Sequence, residues 1–280
     1  MTPGEKAEAR IAELGISDPR DLDVEAMAFD AGVRVEYQQL SGCEATLVGV
    51  ASRAIATINP SPSRGRERFS VAHELGHWEL HRGRSFRCRV DDPSENLASD
   101  APLEKEADSY ASHLLMPGPI FNPVIKPLGM LGFVQLEDVA RQFETSLLAT
   151  AIRLARVNKL PVIVTCYTLQ KRRWHIRSDD VPARWWLRET LDDDSFAHEL
   201  LTRGKTYPTP RKQPGEVWFE NDDAENYEVL EHCHTTAKGE VLVLLYLADA
   251  EMLNAGFDEN VGYRRYDEFG VHYNKRNSGR

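Results

Sequence analysis

Residues 69–81, FSVAHELGHWELH, constrain this chain more than any other stretch. The segment is apolar on every side except at its histidines and glutamates, and a helix of that kind belongs at the centre of a domain. Spacing of four stacks His73 and His77 on one helix face, so two imidazoles can reach one ion at the geometry zinc requires. Glu74 then lies beside the ion and not on it, where a base that takes a proton from water is needed. His81 continues the series, but three consecutive turns of straight helix cover about 12 Å, too far for one tetrahedral ion to touch all three rings. His81 is therefore expected at the helix end or in a cleft wall, where the dipole favours a cationic ring. The longer pattern HExxHxxGxxH is excluded, because Leu80 and Gly83 stand where glycine and histidine would be required. Phe69, Leu75, Trp78 and Leu80 are expected in the core, with Gly76 allowing another element to approach closely.

A third ligand must come from a different helix. The stretch PLEKEADSYASHLLMP supplies Glu104, Glu106 and Asp108 as candidates. Ala107, Tyr110, Ala111, Leu114 and Leu115 define its inward face; Glu104 falls about 60° from the centre of that face and Glu106 about 100° away on the other flank. A carboxylate turned toward a core is costly unless it is paired or coordinated. Glu104 is thus the expected ligand and Glu106 a solvated charge. Asp108, one turn beyond Glu104, is placed to accept a hydrogen bond from a ligating imidazole.

The rest of the chain sets the frame for this site. Its 280 residues suit two domains, each with its own core. A formal charge of -10 argues against a general electrostatic hold on nucleic acid or an anionic membrane. Cys43, Cys88, Cys166 and Cys233 are scattered without metal-type pairing, as in a reduced cytoplasmic protein. The amino terminus carries charges where a signal peptide needs an apolar core, and the longest strongly apolar run, VLVLLYLA at 241–248, is too short to span a bilayer.

Helices are expected over 3–15 and 22–31, the latter capped by Asp21 or Asp23 and stopped by Gly32, followed by the strand-like VRVEYQQL. TLVGVAS and AIATIN form a hairpin ending at Pro60 and Pro62, and AIATIN is a candidate sheet edge for an extended substrate. After the histidine helix and a stop at Gly83, residues 84–101 are irregular. Residues 120–158 have helix-turn-helix spacing, with a tight turn near Thr145 and Ser146. LPVIVTCYTL then opens a region of strands, with helix expected around ARWWLRETL and DSFAHELL and strands at 216–220, 226–234 and 240–248. The expected division is 1–120, 121–158, 159–256 and a polar tail over 257–280.

RERFSVAHELGHWELH at 66–81 and LEKEADSYASHLLMP at 103–117, followed by LEDVARQFETSLLATAIRL at 136–154, resemble the ImmA/IrrE family of zinc-dependent metallo-endopeptidases. The resemblance covers roughly residues 20–158. It implies an α+β fold: a zincin-like minimal peptidase core, a helix-turn-helix-like segment packed on it, and then a second α+β domain, GAF-like by analogy of position. It assigns Zn2+ to His73, His77 and Glu104 and the catalytic role in peptide-bond hydrolysis to Glu74. His81 and Tyr110 are the candidates for cleft residues that stabilise the transition state. Members of this family cleave helix-turn-helix repressors in stress or mobile-element responses, so the implied partner is a protein substrate of that kind.

The competing reading is a DNA- or partner-binding regulator with a structural zinc site. Arg141, Arg153, Arg156 and Lys159 motivate it. Glu137, Asp138, Glu144, the acidic whole and an open three-ligand site with its own base stand against it, and direct DNA binding is not expected. His232 and His234 share a strand face around Cys233, which raises a second metal or a redox sensor, though ordinary strand residues explain them more simply. Trp185 and Trp186 are expected as core or interface aromatics.

Overall fold

The computed structural model describes residues 1–61, 63–82, 86–88 (backbone) and 101–254. Pro62, the stop at Gly83, most of the irregular stretch to residue 100 and the polar tail from 257 lie outside the described residues. The protein is α+β, with helices and two sheets. It divides into two compact units, Met1–Pro127 with Glu137–Thr150, and Leu128–Leu136 with Ala151–Arg280.

The first unit opens with α1 (Pro3–Glu13), whose Thr2 and Glu5 form a reciprocal capping box, and α2 (Val24–Asp30), capped by the Asp23 side chain. Gly32, at φ 85°, turns the chain into β1 (Val33–Tyr37). β2 (Ala45–Val50) and β3 (Arg53–Ile58) are the expected hairpin, and α3 (Arg64–Leu80) is the histidine helix. β4 (Phe86–Cys88) and α4 (Ala101–Leu115) follow. The sheet runs β1-β3-β2-β4, parallel between β1 and β3 and antiparallel elsewhere.

That order overturns one expectation. AIATIN lies in β3, whose two edges are both hydrogen-bonded to neighbours, so it offers no edge to a substrate; the outer strands are β1 and β4. One face of the sheet, with Ala45, Leu47, Ala54, Ala56 and Ile58, is buried, while Val48, Val50 and Ile55 on the other are exposed. Trp78 anchors α3 to this sheet: its indole donates to the Ala31 carbonyl at 2.9 Å, and its ring lies so near Gly49 that a Cβ there would stand 2.5 Å from it.

Beyond α5 (Gly118–Ile125), α6 (Phe133–Gln142) and α7 (Leu147–Arg156) flank the expected tight turn, where Glu144 takes φ 50°. In the first unit that turn rests on the start of α3. Gly65 lies within 3.2 Å of the Glu144 and Thr145 backbone in the position a Cβ would take, and Arg64 and Arg68 pair with the Glu144 carboxylate at 3.0 and 3.1 Å.

The second unit is built on an antiparallel sheet ordered β6-β5-β9-β8-β7, from β5 (Val162–Tyr167), β6 (Arg172–Arg177), β7 (Arg211–Pro214), β8 (Glu228–Thr235) and β9 (Val241–Tyr246). Every residue of β5 and β9 is buried. DSFAHELL forms α8 (Phe196–Arg203), but ARWWLRETL is not helical: Trp185 and Leu187 are buried and Trp186 half-buried, an alternation of two, and Leu187 bridges Phe219. The strand expected at 216–220 is instead a 3-10 turn, Gly215–Val217, following β7. Trp185 is fully buried in the core with Trp218 and Phe219.

Candidate metal centre

α3 is buried almost continuously from Arg68 to Trp78, so its polar side chains either meet each other or meet α4. Gly76 decides how near α4 comes. A Cβ at Gly76 would sit 3.2 Å from Ala107 Cα, Ala107 O and Tyr110 Cβ, so the missing side chain is what lets the two helices touch backbone to backbone. That approach brings Glu104 and Asp108 to the histidine face.

His73 Nε2, His77 Nε2 and a Glu104 carboxylate oxygen each lie within 4.8 Å of one another. The two Nε2 atoms are 3.1 Å apart, and Glu104 reaches His73 at 3.1 Å and His77 at 3.4 Å. The rings meet edge to face with centroids 4.7 Å apart. On its far side His73 Nδ1 is 2.9 Å from Asp108 Oδ1. A carboxylate has no hydrogen to give, so the imidazole donates from Nδ1, and once Nε2 gives up its own proton the ring presents that lone pair to the cluster. Ring nitrogen lone pairs beside a carboxylate repel one another unless a positive charge stands among them, and the donor set suits a metal ion.

The electrostatics carry the same signature. Burial opposes a charged ring at His73, but hydrogen bonds to Asp108 and Glu104 and the nearby Glu74 charge outweigh it and push its pKa up to about 10. Burial would raise the Glu104 carboxyl, yet the two imidazoles draw it down to about 2. His77 is held below its ordinary value, first by burial and then by the other two histidines.

The remaining expected residues fall as follows. Glu74, fully buried, sits beside His73 without belonging to the ligand group. His81 caps the carboxyl end of α3, its amide donating to the His77 carbonyl at 2.8 Å, and it too stands outside the ligand group. Its side chain is nevertheless part of the same hydrogen-bonded row, with Nδ1 3.1 Å from His77 Nδ1 and Nε2 2.8 Å from Glu106 Oε2. Glu106 is therefore not merely solvated, although its side chain is 49% exposed. The helical wheel of α4 places Glu106 on the flank away from Glu104 but says nothing of a neighbour waiting there; the i+4 step from His77 to His81 was the available signal. Tyr110 is buried in helix packing, and the charges acting on its hydroxyl, Glu79, Arg10 and Glu13, belong to α1 and the end of α3.

In the second unit His232 does not gather ligands. Its Nδ1 accepts from the Phe133 amide and its Nε2 donates to the Tyr207 carbonyl, each at 2.9 Å, so both ring nitrogens serve the backbone. Cys233 donates to the buried Glu231 carboxylate at 3.0 Å, and burial pushes that thiol well above its ordinary pKa.

Comparison with known proteins agrees with the motifs. The peptidase M78 family, described as the IrrE N-terminal-like domain, matches residues 29–155. The radiation response metalloprotease IrrE of Deinococcus radiodurans is 27% identical over 109 residues, 39% of this chain and 33% of that protein. The match thus spans about a third of the length of this curated relative. A solved Mycobacterium tuberculosis transcriptional regulator shares the fold, with a TM-score of 0.58 at 13% identity over 87% of this chain and 76% of its own. Family and cluster together point to a metallopeptidase that uses a metal ion. The matched stretch contains α3, α4 and every residue of the cluster, and the two matches support an ImmA/IrrE family protein.

Proposed function

We propose that this chain is a zinc-dependent endopeptidase acting inside the cell on a regulator such as a helix-turn-helix repressor. The observation that carries the reading is the convergence of His73, His77 and Glu104, with Glu74 buried one residue along α3. Two imidazoles and one carboxylate are the ligand set of hydrolytic zinc, and they leave a coordination position open. Zinc bound there supplies Lewis acidity, acidifying water and polarising a peptide carbonyl. The chain's own residues do the rest. His73, His77 and Glu104 hold the ion, Asp108 orients the His73 ring, and Glu74 takes the proton from the attacking water and returns it to the leaving amine.

A protein substrate fits better than DNA. Of the basic residues near the helix-turn-helix-like segment, Arg153 is 2% exposed and Arg141 is paired with Asp138. A GAF-like, signal-sensing role for the second unit goes with its antiparallel sheet and packed helix; proteolysis that changes with a small ligand or oxidant would test it.

The test of the central reading pairs metal analysis with cleavage. Wild type should hold one zinc per chain, and His73→Ala should lose it. Glu74→Gln should keep the metal and fail to cleave repressors encoded beside the gene. Equal cleavage by Glu74→Gln and wild type would overturn the peptidase reading. Retention of metal by Glu74→Gln with no cleavage by wild type of any candidate would favour a non-proteolytic regulator with a structural zinc.

A further inference from the structure

We propose that Glu106 and His81 are positioning residues of the metal centre, forming a proton-ordered relay that fixes the His77 ring with its Nε2 toward the ligand cluster. The proposal rests on the metal-centre reading above and adds two residues to it.

The relay follows from which atoms can donate. Glu106 Oε2 lies 2.8 Å from His81 Nε2, and a carboxylate can only accept, so His81 carries its hydrogen on Nε2. With that as its one ring hydrogen, His81 accepts at Nδ1, and His77 Nδ1, 3.1 Å away, is the donor. A neutral His77 with its hydrogen on Nδ1 presents the Nε2 lone pair, and Nε2 is the atom that faces His73 Nε2 and Glu104. One carboxylate on α4 thus sets the tautomer of a ring two hydrogen bonds away.

Geometry keeps the row from rotating. The His81 backbone is tied to the His77 carbonyl, its side chain is only 7% exposed, and the rings of His77 and His81 lie 5.3 Å apart. The device parallels the shorter one on the other ligand, where Asp108 accepts directly from His73 Nδ1. Both carboxylates come from α4, as does the ligand Glu104, so a single helix supplies one ligand and orients the two others. This gives His81 a role other than the ligand role that spacing excludes: too far to touch an ion, it is near enough to aim the ring that would.

The experiment measures Zn2+ affinity by competition with a chromophoric chelator, and the His81 tautomer by imidazole 15N shifts in the zinc-loaded protein. Glu106→Ala and His81→Phe should each weaken zinc binding by about 10–100-fold, the usual effect of losing an outer-shell partner. Glu106→Gln keeps an oxygen acceptor and should bind more tightly than Glu106→Ala, a rescue that bulk charge would not produce. Glu79→Gln, which removes a neighbouring charge outside the row, should leave affinity unchanged. Wild-type His81 should show hydrogen on Nε2 and Glu106→Ala a mixture. Because Glu106 is half exposed, its variants test the relay even if His81→Phe folds poorly. Wild-type affinity in Glu106→Ala, or hydrogen on Nδ1 of wild-type His81, would overturn the relay while leaving the metal centre standing. Full zinc retention by His73→Ala would instead overturn the metal centre itself.

Discussion

Two groups of histidines in this chain, one on a helix and one on a strand, each invite a metal as sequence and differ as chemistry. On α3, His73 and His77 have their outer nitrogens turned to Asp108 and His81, and their inner nitrogens converge with Glu104. On β8, His232 gives one nitrogen to the Phe133 amide and the other to the Tyr207 carbonyl. Metal-binding capacity depends on what the second nitrogen of each ring is doing. A side-chain acceptor on that nitrogen leaves the first one its lone pair; two backbone partners use up the ring.

The largest expected effect breaks the comparison at its root. His77→Ala should weaken zinc binding by more than the about 10–100-fold that an outer-shell partner contributes, whereas His232→Ala should leave the zinc content unchanged. Metal analysis after dialysis distinguishes them, and a loss of zinc in His232→Ala would mean that the β8 row is a site after all. The second expectation concerns protons. At pH 7 a His73 with its pKa near 10 holds a proton in the metal-free protein, Glu104 near 2 is ionised, and His77, lowered, is neutral. Binding therefore releases one proton, from His73. The sign follows: affinity rises with pH, by about tenfold for each unit, until His73 itself is deprotonated in the metal-free form. Calorimetry in buffers of different ionisation enthalpy counts the proton, and a count of zero would mean that the metal-free His73 ring is already neutral at pH 7.

How much of this was written in the sequence depends on the range of the interaction. α3 was legible because a helix wrapped in apolar residues has one place to go, and Glu104 because a core-facing carboxylate needs a reason. The hairpin, α2 with its Asp23 cap, and the tight turn at Glu144 were set by local chemistry. Sheet order was not, since the parallel pairing of β1 with β3 brings together segments that nothing local ties, and it closed the edge that AIATIN offered in isolation. ARWWLRETL was misread because its two tryptophans and two leucines suit either period, and only the bridge to Phe219 selects alternation. Glu106 was missed for the same reason as the sheet order: the helical wheel describes its own helix and not the histidine at the end of the next.

Smaller effects sharpen the contrast between a site that orders an ion and a site that orders backbone. Gly76→Ala sets a modest helix-propensity gain of up to about 1 kcal/mol against contacts at 3.2 Å with Ala107 backbone, which cannot rotate away. The net should be destabilising by about 1–2 kcal/mol and should also weaken zinc binding, because α4 carries Glu104. An Ala variant as stable as wild type with unchanged affinity would show that the helices do not need backbone contact to build the centre. His232→Ala leaves a buried amide and a carbonyl without their ring partner, at a cost of about 1–3 kcal/mol in denaturant unfolding, with no dependence on added zinc. His234 is the least consequential member of either row. Its ring lies 5.3 Å from Phe133 at a 40° tilt, so His234→Ala should lose about 0.5–1.5 kcal/mol of aromatic contact and no zinc. The sharpest form of the comparison is then the pair of last histidines: removal of His81 should change metal affinity through the ring of His77, and removal of His234 should change only the stability of the sheet on which it sits.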